Sequence, residues 1–386
     1  MSQLKSMCLI GIVIFILFSI PFIYCTQASS TWSQTYVGSY ANVLVGTSDG
    51  GYAMAGYAGN NSYLMKTDAN GTLQWTKTYD GGNWEEAYAL VQTSDGGYAL
   101  AGSSGDKVGI YHSDFWLVKT DPSGNMEWNH AYGGPGIEKA GSVIQTDDGG
   151  YAVAGYTDSF GIGLKDFWLV KTDPNGNMEW NQTYGTAENY EQAYSLVKTF
   201  DGGFALAGTM NNLNDNSIWL VKVDPLGNME WNQTFGGENG TGVGGPQALV
   251  ATSDGGYALV GGKTSPITTS YGAVQDGLLI KTNARGDEEW NQTYGTPGDD
   301  GLSALVQATD GGYALVGARD LFGPTKGDVW LIKTDSRGNM LWNKTYGGYL
   351  TIMDNTIWIW VTVWFRHLMG DMQYWQKQSS LYPYHH

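Results

Sequence analysis

The sequence predicts an all-β protein and, within that class, a β-propeller built from four-stranded blades. Three observations support this prediction. The tripeptide Asp-Gly-Gly, followed by Tyr or Phe, recurs six times at intervals of 46 to 56 residues, which is about the length of one propeller blade. Around each copy, β-branched and aromatic residues alternate with polar ones, as in short strands. Glycine is abundant (56 residues) and only 15% of the residues are charged, a composition typical of many strands joined by tight turns.

Each repeat unit predicts four strands, which we call a, b, c and d. In the third unit they read "SVIQT", "YAVAGYT", "DFWLVKT" and "MEWNQTY". The Asp-Gly-Gly turn joins a to b and "DPNGN" joins c to d, each with glycine where the backbone needs a positive φ. The tripeptides begin at Asp49, Asp95, Asp148, Asp201, Asp254 and Asp310. We therefore expect six blades within residues 31–348. A β-solenoid is the alternative, although its repeats are usually shorter and its strands parallel.

The phrase "KTDPNGNMEW" resembles the tryptophan-docking repeat of quinoprotein-type propellers. The whole unit also resembles the "TSDGGYALAG…FWLVKTD" repeats of archaeal and bacterial surface proteins. The resemblance covers residues 31–348 and implies the propeller fold. It also implies that one strand-d tryptophan docks each blade, namely Trp75, Trp128, Trp180, Trp231, Trp290 and Trp342. It implies no catalytic residue, although some chains with such repeats carry an endoglucanase label.

One side of the predicted propeller is a candidate ligand-binding face. In an antiparallel meander the a–b and c–d turns emerge on one side, and the b–c and d–a links on the other. The turns are short and uniform whereas the links vary in length, which is typical of a binding face in repeat proteins. The links supply acidic candidates (Glu85, Glu86, Glu138, Glu188, Glu191, Asp299 and Asp300) and aromatic ones (Tyr111, Phe160, Tyr190, Tyr271 and Phe322). These aromatic rings would stack on sugars or simply pack the loops.

A set of aspartates at the start of strand c offers a candidate metal site. Asp114, Asp166, Asp276 and Asp328 each lie five residues before the lysine of strand c. A ring of carboxylates at the mouth of a propeller would suit Ca²⁺, which prefers oxygen ligands. The favoured interpretation is structural, because a duplicated aspartate that caps a turn would recur in the same way. We therefore expect no cofactor, with Ca²⁺ as the alternative.

Asn-X-Ser/Thr sequons are frequent. They begin at Asn60, Asn70, Asn181, Asn232, Asn239, Asn291 and Asn343. Four of them share one position in strand d, directly after the repeated tryptophan. Because successive side chains of a strand point to opposite faces, the tryptophan can dock inward while the asparagine faces outward. Glycosylation is therefore predicted if the protein is exported.

Charge and residue types restrict the possible functions. The net charge of −17 argues against a nucleic-acid partner, because phosphate binding needs a basic patch. The only cysteines are Cys8 and Cys25, so the repeats have no vicinal disulfide of the kind that quinoprotein dehydrogenases use. Nothing singles out a catalytic pair of carboxylates. We expect a non-enzymatic module that binds a protein or glycan. A polysaccharide-active enzyme or its accessory module is the alternative, and a structural cell-envelope component is the third possibility.

The first 28 residues predict an export segment. Lys5 precedes an uncharged apolar run over residues 7–24, and Thr26 and Ala28 offer small residues for cleavage. The run is also long enough to span a bilayer, so a cleaved signal peptide and a retained membrane anchor both stay open. In either case we expect the propeller to be secreted or held at the cell surface.

The two ends of the repeat region predict a seventh blade. "TWSQTY", residues 31–36, has the pattern of strand d but no a, b or c before it. Residues 349–386 lose the repeat and include "WFRHLMGDMQYWQK". Codons for residues 365–376, read with the first two bases dropped, permit "STSDGGYAILA", which is another a–b hairpin. We therefore expect that a frame change near Tyr349 or Leu350 converted the rest of a seventh blade into this tail.

Overall fold

The computed structural model describes residues 40–106, 112–211, 216–236, 243–269, 272–319 and 328–346. These residues form 24 β-strands and no helix, arranged as six four-stranded antiparallel sheets. Each sheet keeps its strands in chain order. The structure confirms the predicted all-β propeller with six four-stranded blades. The predicted export segment, the first strand-d segment and the aberrant tail lie outside the described residues.

The blades are numbered in chain order, and each contains strands a to d in sequence. Blades 1 to 3 consist of β1 Tyr40–Gly46, β2 Tyr52–Ala58, β3 Asn61–Thr67, β4 Leu73–Tyr79, β5 Trp84–Gln92, β6 Tyr98–Gly105, β7 Ser113–Thr120, β8 Met126–Tyr132, β9 Glu138–Gln145, β10 Tyr151–Thr157, β11 Asp166–Thr172 and β12 Met178–Tyr184. Blades 4 to 6 consist of β13 Tyr190–Lys198, β14 Phe204–Asn211, β15 Asn216–Val223, β16 Met229–Gly236, β17 Val243–Ala251, β18 Tyr257–Thr269, β19 Gly272–Thr282, β20 Glu288–Tyr294, β21 Gly301–Gln307, β22 Tyr313–Arg319, β23 Asp328–Thr334 and β24 Met340–Tyr346.

The glycine of strand b makes room for a bulge in strand a. In blade 3 the pairing of β9 with β10 skips Gly141, so that Ser142 faces Ala154 and Ala140 faces Gly155. A Cβ atom on Gly155 would lie 2.0 Å from the carbonyl oxygen of Lys139, closer than any side chain tolerates. The "YALAG" glycine is therefore required by the close approach of the bulged neighbouring strand.

Apolar residues from consecutive blades interdigitate to form the core. One face of blade 3 packs on blade 2 through Tyr151, Val153, Trp168 and Val170. The opposite face packs on blade 4 through Ala152, Ala154, Phe167 and Leu169. Corresponding clusters join blades 1 and 2, blades 4 and 5, and blades 5 and 6. Successive residues of strands b and c thus point alternately to the preceding and to the following blade. Both sides of these strands are buried in blade interfaces, which is why both sides are apolar.

The repeated tryptophan of strand d rests on the c–d turn of the next blade. Trp128 of blade 2 lies so close to Gly176 of blade 3 that a Cβ atom there would be 2.7 Å from the indole ring. Gly176 also has a φ of +80°, so glycine is needed at this turn for two reasons. The hydroxyl of Tyr132, four residues after the tryptophan, donates to the Gly176 carbonyl over 2.5 Å. The same tryptophan–glycine contact recurs at all five interfaces between consecutive blades.

The aspartate of Asp-Gly-Gly and the lysine of strand c form a repeated ion pair on the turn side. In blade 3 the buried Nζ of Lys171 donates to Asp148 Oδ2 at 2.7 Å, Glu179 Oε2 at 2.8 Å and the Thr172 carbonyl at 2.8 Å. The second Asp148 oxygen accepts from the hydroxyl of Thr146 and the backbone N–H of Gly150. The lysine ammonium group therefore connects the a–b turn to the end of strand c and the start of strand d.

Candidate ligand-binding face

The two sides of the propeller differ in the way that the repeat pattern predicts. Every described a–b and c–d turn spans five residues between the strand ends. The b–c links instead range from two residues in blade 1 to eight in blade 3, and the d–a links from four to six. We call the side with these variable links the loop face and the other side the turn face.

Four exposed apolar side chains lie on the loop face of blade 3 and at the start of blade 4. Phe160, Ile162 and Leu164 of the b–c link of blade 3 are 41–62% exposed, and Tyr190 at the start of β13 is 45% exposed. The two segments are held together, because Lys165 pairs with Tyr190 in an isolated parallel bridge. We call these four residues the loop-face patch. Phe160 lies on the blade-2 side of the link, where its ring centroid is 5.4 Å from that of Trp168. Exposed apolar side chains that lie on one face mark interaction sites more often than scattered ones do.

Three of the predicted acidic residues reach the surface of the loop face, at least in part. Glu188, in the d–a link before β13, is exposed, and Glu86 and Asp299 are half-buried. Glu188 precedes Tyr190 by two residues, so it flanks the loop-face patch directly. These acids and the patch residue Phe160 remain candidate ligand contacts. Three further aromatic candidates, Tyr111, Tyr271 and Phe322, lie outside the described residues.

The other four predicted acids are buried beneath that surface. Glu85, Glu138, Glu191 and Asp300 are at most 1% exposed. Glu138 Oε1 accepts from the Thr157 hydroxyl at 2.7 Å, and its Oε2 accepts from the backbone N–H of Gly134 at 2.8 Å. Glu191 Oε1 likewise accepts from the Thr186 hydroxyl at 2.7 Å. Sequence reasoning placed these acids among the surface contacts, but their carboxylates hold the ends of the d–a links from below.

The strand-c aspartates lie at separate places in the fold. Each of the first three sits against the glycine that follows strand d of its own blade: Asp114 against Gly133, Asp166 against Gly185 and Asp276 against Gly295. Asp328 begins β23. Among the described residues, no group of three or more His, Cys, Asp or Glu side chains is arranged to hold a metal ion. In the described part of the chain, therefore, no group of carboxylates corresponds to the predicted ring around one shared Ca²⁺.

Two carboxylates from adjacent blades meet at the boundary of blades 2 and 3. A Cβ atom on Gly133 would lie 1.9 Å from Asp114 Oδ1 and 2.6 Å from Glu138 Oε2. The two oxygens are thus at most about 4.5 Å apart, the sum of those distances, which is close enough for each charge to oppose the other. Burial raises the pKa of Asp114 and Glu138 raises it further, whereas His112, whose Nε2 is 3.8 Å from Asp114 Oδ1, lowers it.

The corresponding pair between blades 3 and 4 has no such histidine. Asp166 Oδ1 and Glu191 Oε2 are buried and have no hydrogen-bond partner among the described residues. Burial raises the pKa of Asp166 to about 6, although a hydrogen bond from the Ile162 backbone N–H lowers it. Burial also raises the pKa of Glu191, the hydrogen bond from Thr186 lowers it and the charge of Asp166 raises it again. These carboxyls lie directly below the segment that carries the loop-face patch.

The strand-d tryptophans and the sequon asparagines take opposite sides of strand d. Trp75, Trp128, Trp180, Trp231 and Trp290 are half-buried in the interfaces with the following blade, and Trp342 packs against the apolar face of blade 6. The sequon asparagines Asn60, Asn70, Asn181, Asn232, Asn291 and Asn343 are exposed, whereas Asn239 lies outside the described residues. Three of the four in strand d, Asn181, Asn232 and Asn343, also accept an indole N–H, as Asn181 Oδ1 does from Trp168 Nε1 at 3.1 Å.

Sequence reasoning missed two features of the loop face. Ile162 and Leu164 were not considered as ligand contacts, although two exposed apolar residues in a glycine-rich link, "SFGIGLK", are the available signal. His112 was not connected with Asp114, although only one residue separates them. Both features depend on how the links fold over the blade ends, and the repeat pattern says nothing about segments that do not repeat.

Comparisons with known proteins support the fold and no finer relationship. No protein-family model matches the chain, and no curated protein is similar to it in sequence. A solved ulvan lyase, described as a new family of polysaccharide lyase, aligns over 84% of this chain and 89% of its own with a TM-score of 0.57 at 8% identity. The polysaccharide lyase Uly1 (TM-score 0.49, 11% identity, 82% and 84% covered) and a Bacteroides caccae protein of unknown function (TM-score 0.48, 12% identity, 76% and 93% covered) are also similar. At these identities the likeness concerns the propeller architecture alone. No helix of the described residues is long and apolar enough to cross a membrane.

Proposed function

We propose that the protein is an exported β-propeller that binds a glycan or protein partner through its loop face, without catalysing a reaction. The observation that carries the proposal is the loop-face patch, whose four apolar side chains are each at least 41% exposed. Exposing them to water costs free energy that burial under a ligand would recover. The exposed carboxylate of Glu188 beside Tyr190 gives the patch an acidic rim.

The buried state of the neighbouring acids also favours binding over catalysis. A glycosidase needs two carboxyl groups that reach the substrate from opposite sides of the bond to be broken. Glu138 is fully buried, and both of its oxygens accept hydrogen bonds from its own loops. Its role as a positioning group for the d–a link leaves it without access to a sugar.

A glycan array and a pull-down from the surface fraction of the source cells test the proposal. The test variant carries Phe160→Ser, Ile162→Ser and Leu164→Ser. The matched control carries Phe200→Ser and Leu226→Ser, which remove exposed apolar side chains from the turn face. We expect the first variant to lose the ligand and the second to retain it. Loss in the control alone, or equal loss in both variants, would contradict binding through the loop face.

The second candidate is a polysaccharide-active enzyme, and one cluster favours it. His112 and Asp114 lie together at the loop face, with His112 half-exposed and Asp114 partly exposed, and the buried Glu138 lies next to Asp114. The fold similarity to an ulvan lyase suggests acidic polysaccharides as the first substrates to assay. Formation of unsaturated products or new reducing ends that is abolished by His112→Ala would replace the binding proposal. Export itself is tested by fractionating cells and treating the surface with protease, since an intracellular, protected protein contradicts it.

A further inference from the structure

Two lysines and two tyrosines adjoin one another toward the loop-face end of blades 2 and 3. Lys139 of β9 places its Nζ 3.9 Å from the centroid of the Tyr88 ring of β5, in the preceding blade. Lys165, just before β11, places its Nζ 4.1 Å from the centroid of the Tyr156 ring of β10. Tyr156 also pairs with Lys139 across the two strands. All four residues are half-buried, and we call them the lysine–tyrosine cluster.

Neither ammonium group of this cluster has a carboxylate partner among the described residues. Each strand-c lysine, by contrast, contacts a carboxylate oxygen at 2.7–2.9 Å. The charges of Glu86 and Asp158 act on the cluster from beyond contact distance. Each of these carboxylates accepts a hydrogen bond elsewhere, Glu86 from the indole of Trp84 and Asp158 from the N–H of Ile137. The two lysines therefore remain without a close counter-ion.

The two ammonium groups also repel each other. Burial lowers the pKa of Lys139, while the charge of Glu86 raises it. Burial lowers the pKa of Lys165 as well; the charge of Asp158 raises it, and that of Lys139 lowers it again. Withdrawing a charge from water without a counter-ion costs free energy, and a second charge of the same sign nearby adds to that cost. A bound anion would offset both, so the cluster favours a negatively charged ligand group.

The fold does not require this pair of residues. Lys139 and Tyr156 form the strand pair next to the bulge of strand a. Residues of very different size and charge form the same pair in the other blades, namely Tyr40 with Tyr57, Glu86 with Ser103, Gln192 with Thr209, Gly244 with Gly262 and Gly301 with Ala318. Residues that hold consecutive blades together recur in the repeat, whereas a lysine with a tyrosine occurs at this position in blade 3 alone. The pair is therefore free to serve a ligand.

The lysine–tyrosine cluster is continuous with part of the loop-face patch. Lys165 directly follows Leu164 of the patch and pairs with Tyr190 of the patch. A ligand that lies on Leu164 and Tyr190 is therefore one residue away from the first ammonium group. Tyrosine offers both an apolar ring and a hydroxyl. This combination suits a sugar, whose C–H groups pack on rings while its hydroxyls form hydrogen bonds.

We propose that the lysine–tyrosine cluster binds a carboxylate or sulfate group of an acidic saccharide that also lies on the loop-face patch. Lys139 and Lys165 donate charge-assisted hydrogen bonds to the anionic group. The rings of Tyr88 and Tyr156 hold the two ammonium groups in place through cation–π contacts. This site rests on the proposed function, whose ligand it narrows from a glycan or protein to an acidic glycan.

Isothermal titration calorimetry of the full chain tests the ligand class. The probes are a tetragalacturonate, a heparin tetrasaccharide, neutral cellotetraose, hexaglutamate and sodium sulfate. We expect at least one acidic saccharide to bind about tenfold or more tightly than the other three probes, and to bind more weakly as NaCl rises from about 0.05 to 0.5 M. Cellotetraose, hexaglutamate or free sulfate binding as tightly as the acidic saccharides overturns the proposal. These comparisons use the natural protein and need no variant.

Two double variants test the residues themselves. Lys139→Met/Lys165→Met removes both charges at similar side-chain length, whereas Lys139→Arg/Lys165→Arg keeps both charges. The matched control, Lys198→Met/Lys344→Met, removes two positive charges outside the cluster. We expect the acidic saccharide to bind the first variant about tenfold or more weakly, since each lost charge-assisted hydrogen bond is worth about a factor of ten, and to bind the other two about as tightly as the natural protein. Equal affinity of the first variant and the control contradicts the site, and urea midpoints show that all three are folded.

Two outcomes distinguish this site from the proposed function as a whole. A glycan that is lost by Phe160→Ser/Ile162→Ser/Leu164→Ser but retained by Lys139→Met/Lys165→Met overturns the lysine–tyrosine site and leaves binding through the loop face intact. Absence of every acidic glycan from those bound on the array and in calorimetry also overturns the site. In that case neutral glycans on the array and the protein pull-down still decide whether the loop face binds a partner.

Discussion

The ion pair of the turn face makes a quantitative prediction about stability. In Lys171→Met the methionine fills most of the space of the lysine stem but donates no hydrogen bond. The native ammonium is buried and donates to Asp148, Glu179 and the Thr172 carbonyl. Hydrogen bonds to charged groups contribute about 1.5–3 kcal/mol each, and removing one partner of a fully buried ion pair costs about 3–5 kcal/mol.

The exposure of the two carboxylates reduces that magnitude. The side chains of Asp148 and Glu179 are 54% and 44% exposed, so water solvates both once the lysine is gone. The Thr172 carbonyl loses a donor in a buried position. We therefore expect Lys171→Met to lower the free energy of unfolding by about 2–3 kcal/mol. Urea denaturation followed by tryptophan fluorescence measures this change as a shift of the midpoint.

Two lysines of the same protein serve as controls. Lys198 pairs with Asp147 at the surface, where their side chains are 36% and 85% exposed, so Lys198→Met should cost less than about 0.5 kcal/mol. Lys333 pairs with Asp310 but has Leu341 where blades 2 to 5 have glutamate, so Lys333→Met should cost an intermediate amount. If Lys171→Met costs no more than Lys198→Met, the ion pair does not hold the turns together and the reasoning is wrong.

Four further predictions follow from the same structure. Although burial alone would raise the pKa of Asp148, hydrogen bonds from Lys171, Thr146 and Gly150 lower it from 3.8 to about 2. The stability that Asp148 contributes is complete above pH 3.8 and is lost as the pH falls toward 2. Acid titration followed by circular dichroism should therefore show unfolding in that range, and a midpoint above about pH 5 would contradict this. Asp166 has the opposite pH dependence, because its pKa is raised: its contribution to stability is present below about pH 4 and is lost as the pH rises through about 6. Asp166→Asn should therefore unfold at a higher urea concentration than the natural protein at about pH 8. An equal gain in stability at about pH 4 would refute the raised pKa. Gly176→Ala should cost about 3 kcal/mol, because its Cβ meets Trp128 and His130, whereas Gly59→Ala, with positive φ but open space around it, should cost about 1 kcal/mol; equal losses would show that backbone strain alone decides. Sequencing the coding DNA should show the seventh "SDGGYA" hairpin in the shifted frame, and stop codons there exclude the frame change.

The repeat itself made the fold predictable. The same alternation recurs in six units, so the strand assignment does not depend on a chance pattern in any one of them. The turn residues added the connectivity, since Asp-Gly-Gly and Asp-Pro-Asn-Gly-Asn each fit a short antiparallel turn. The roles of Asp148 and Lys171 as one ion pair did not follow from this, because 23 positions separate them and only strand pairing brings the two turns together.

The candidate site was predictable only in its location. Uniform turns and variable links identified the loop face correctly as one side of the blades, since the direction of each strand follows from counting. Burial of individual acids could not be deduced in the same way. Glu85 and Glu86 are neighbours, yet one points into the blade and the other outward because successive residues of a strand alternate. Which of the two points inward depends on the bulge after Ala87, which the sequence does not display.

The positions of the constant residues explain why the loop face is free to vary. The tryptophan–glycine contacts and the tyrosine hydroxyl bonds join consecutive blades near the turn face. The lysine ion pairs lie near the same face and connect the parts of a single blade. The links at the opposite end are held by buried carboxylates such as Glu138 and Glu191, which accept hydrogen bonds from nearby link residues and hydroxyl groups. A change of length or sequence in one link therefore disturbs one loop and leaves the interfaces intact. It follows that residues shared by all blades report on assembly, whereas ligand contacts should be sought among residues that occur in one blade only, such as Phe160, Ile162 and Leu164.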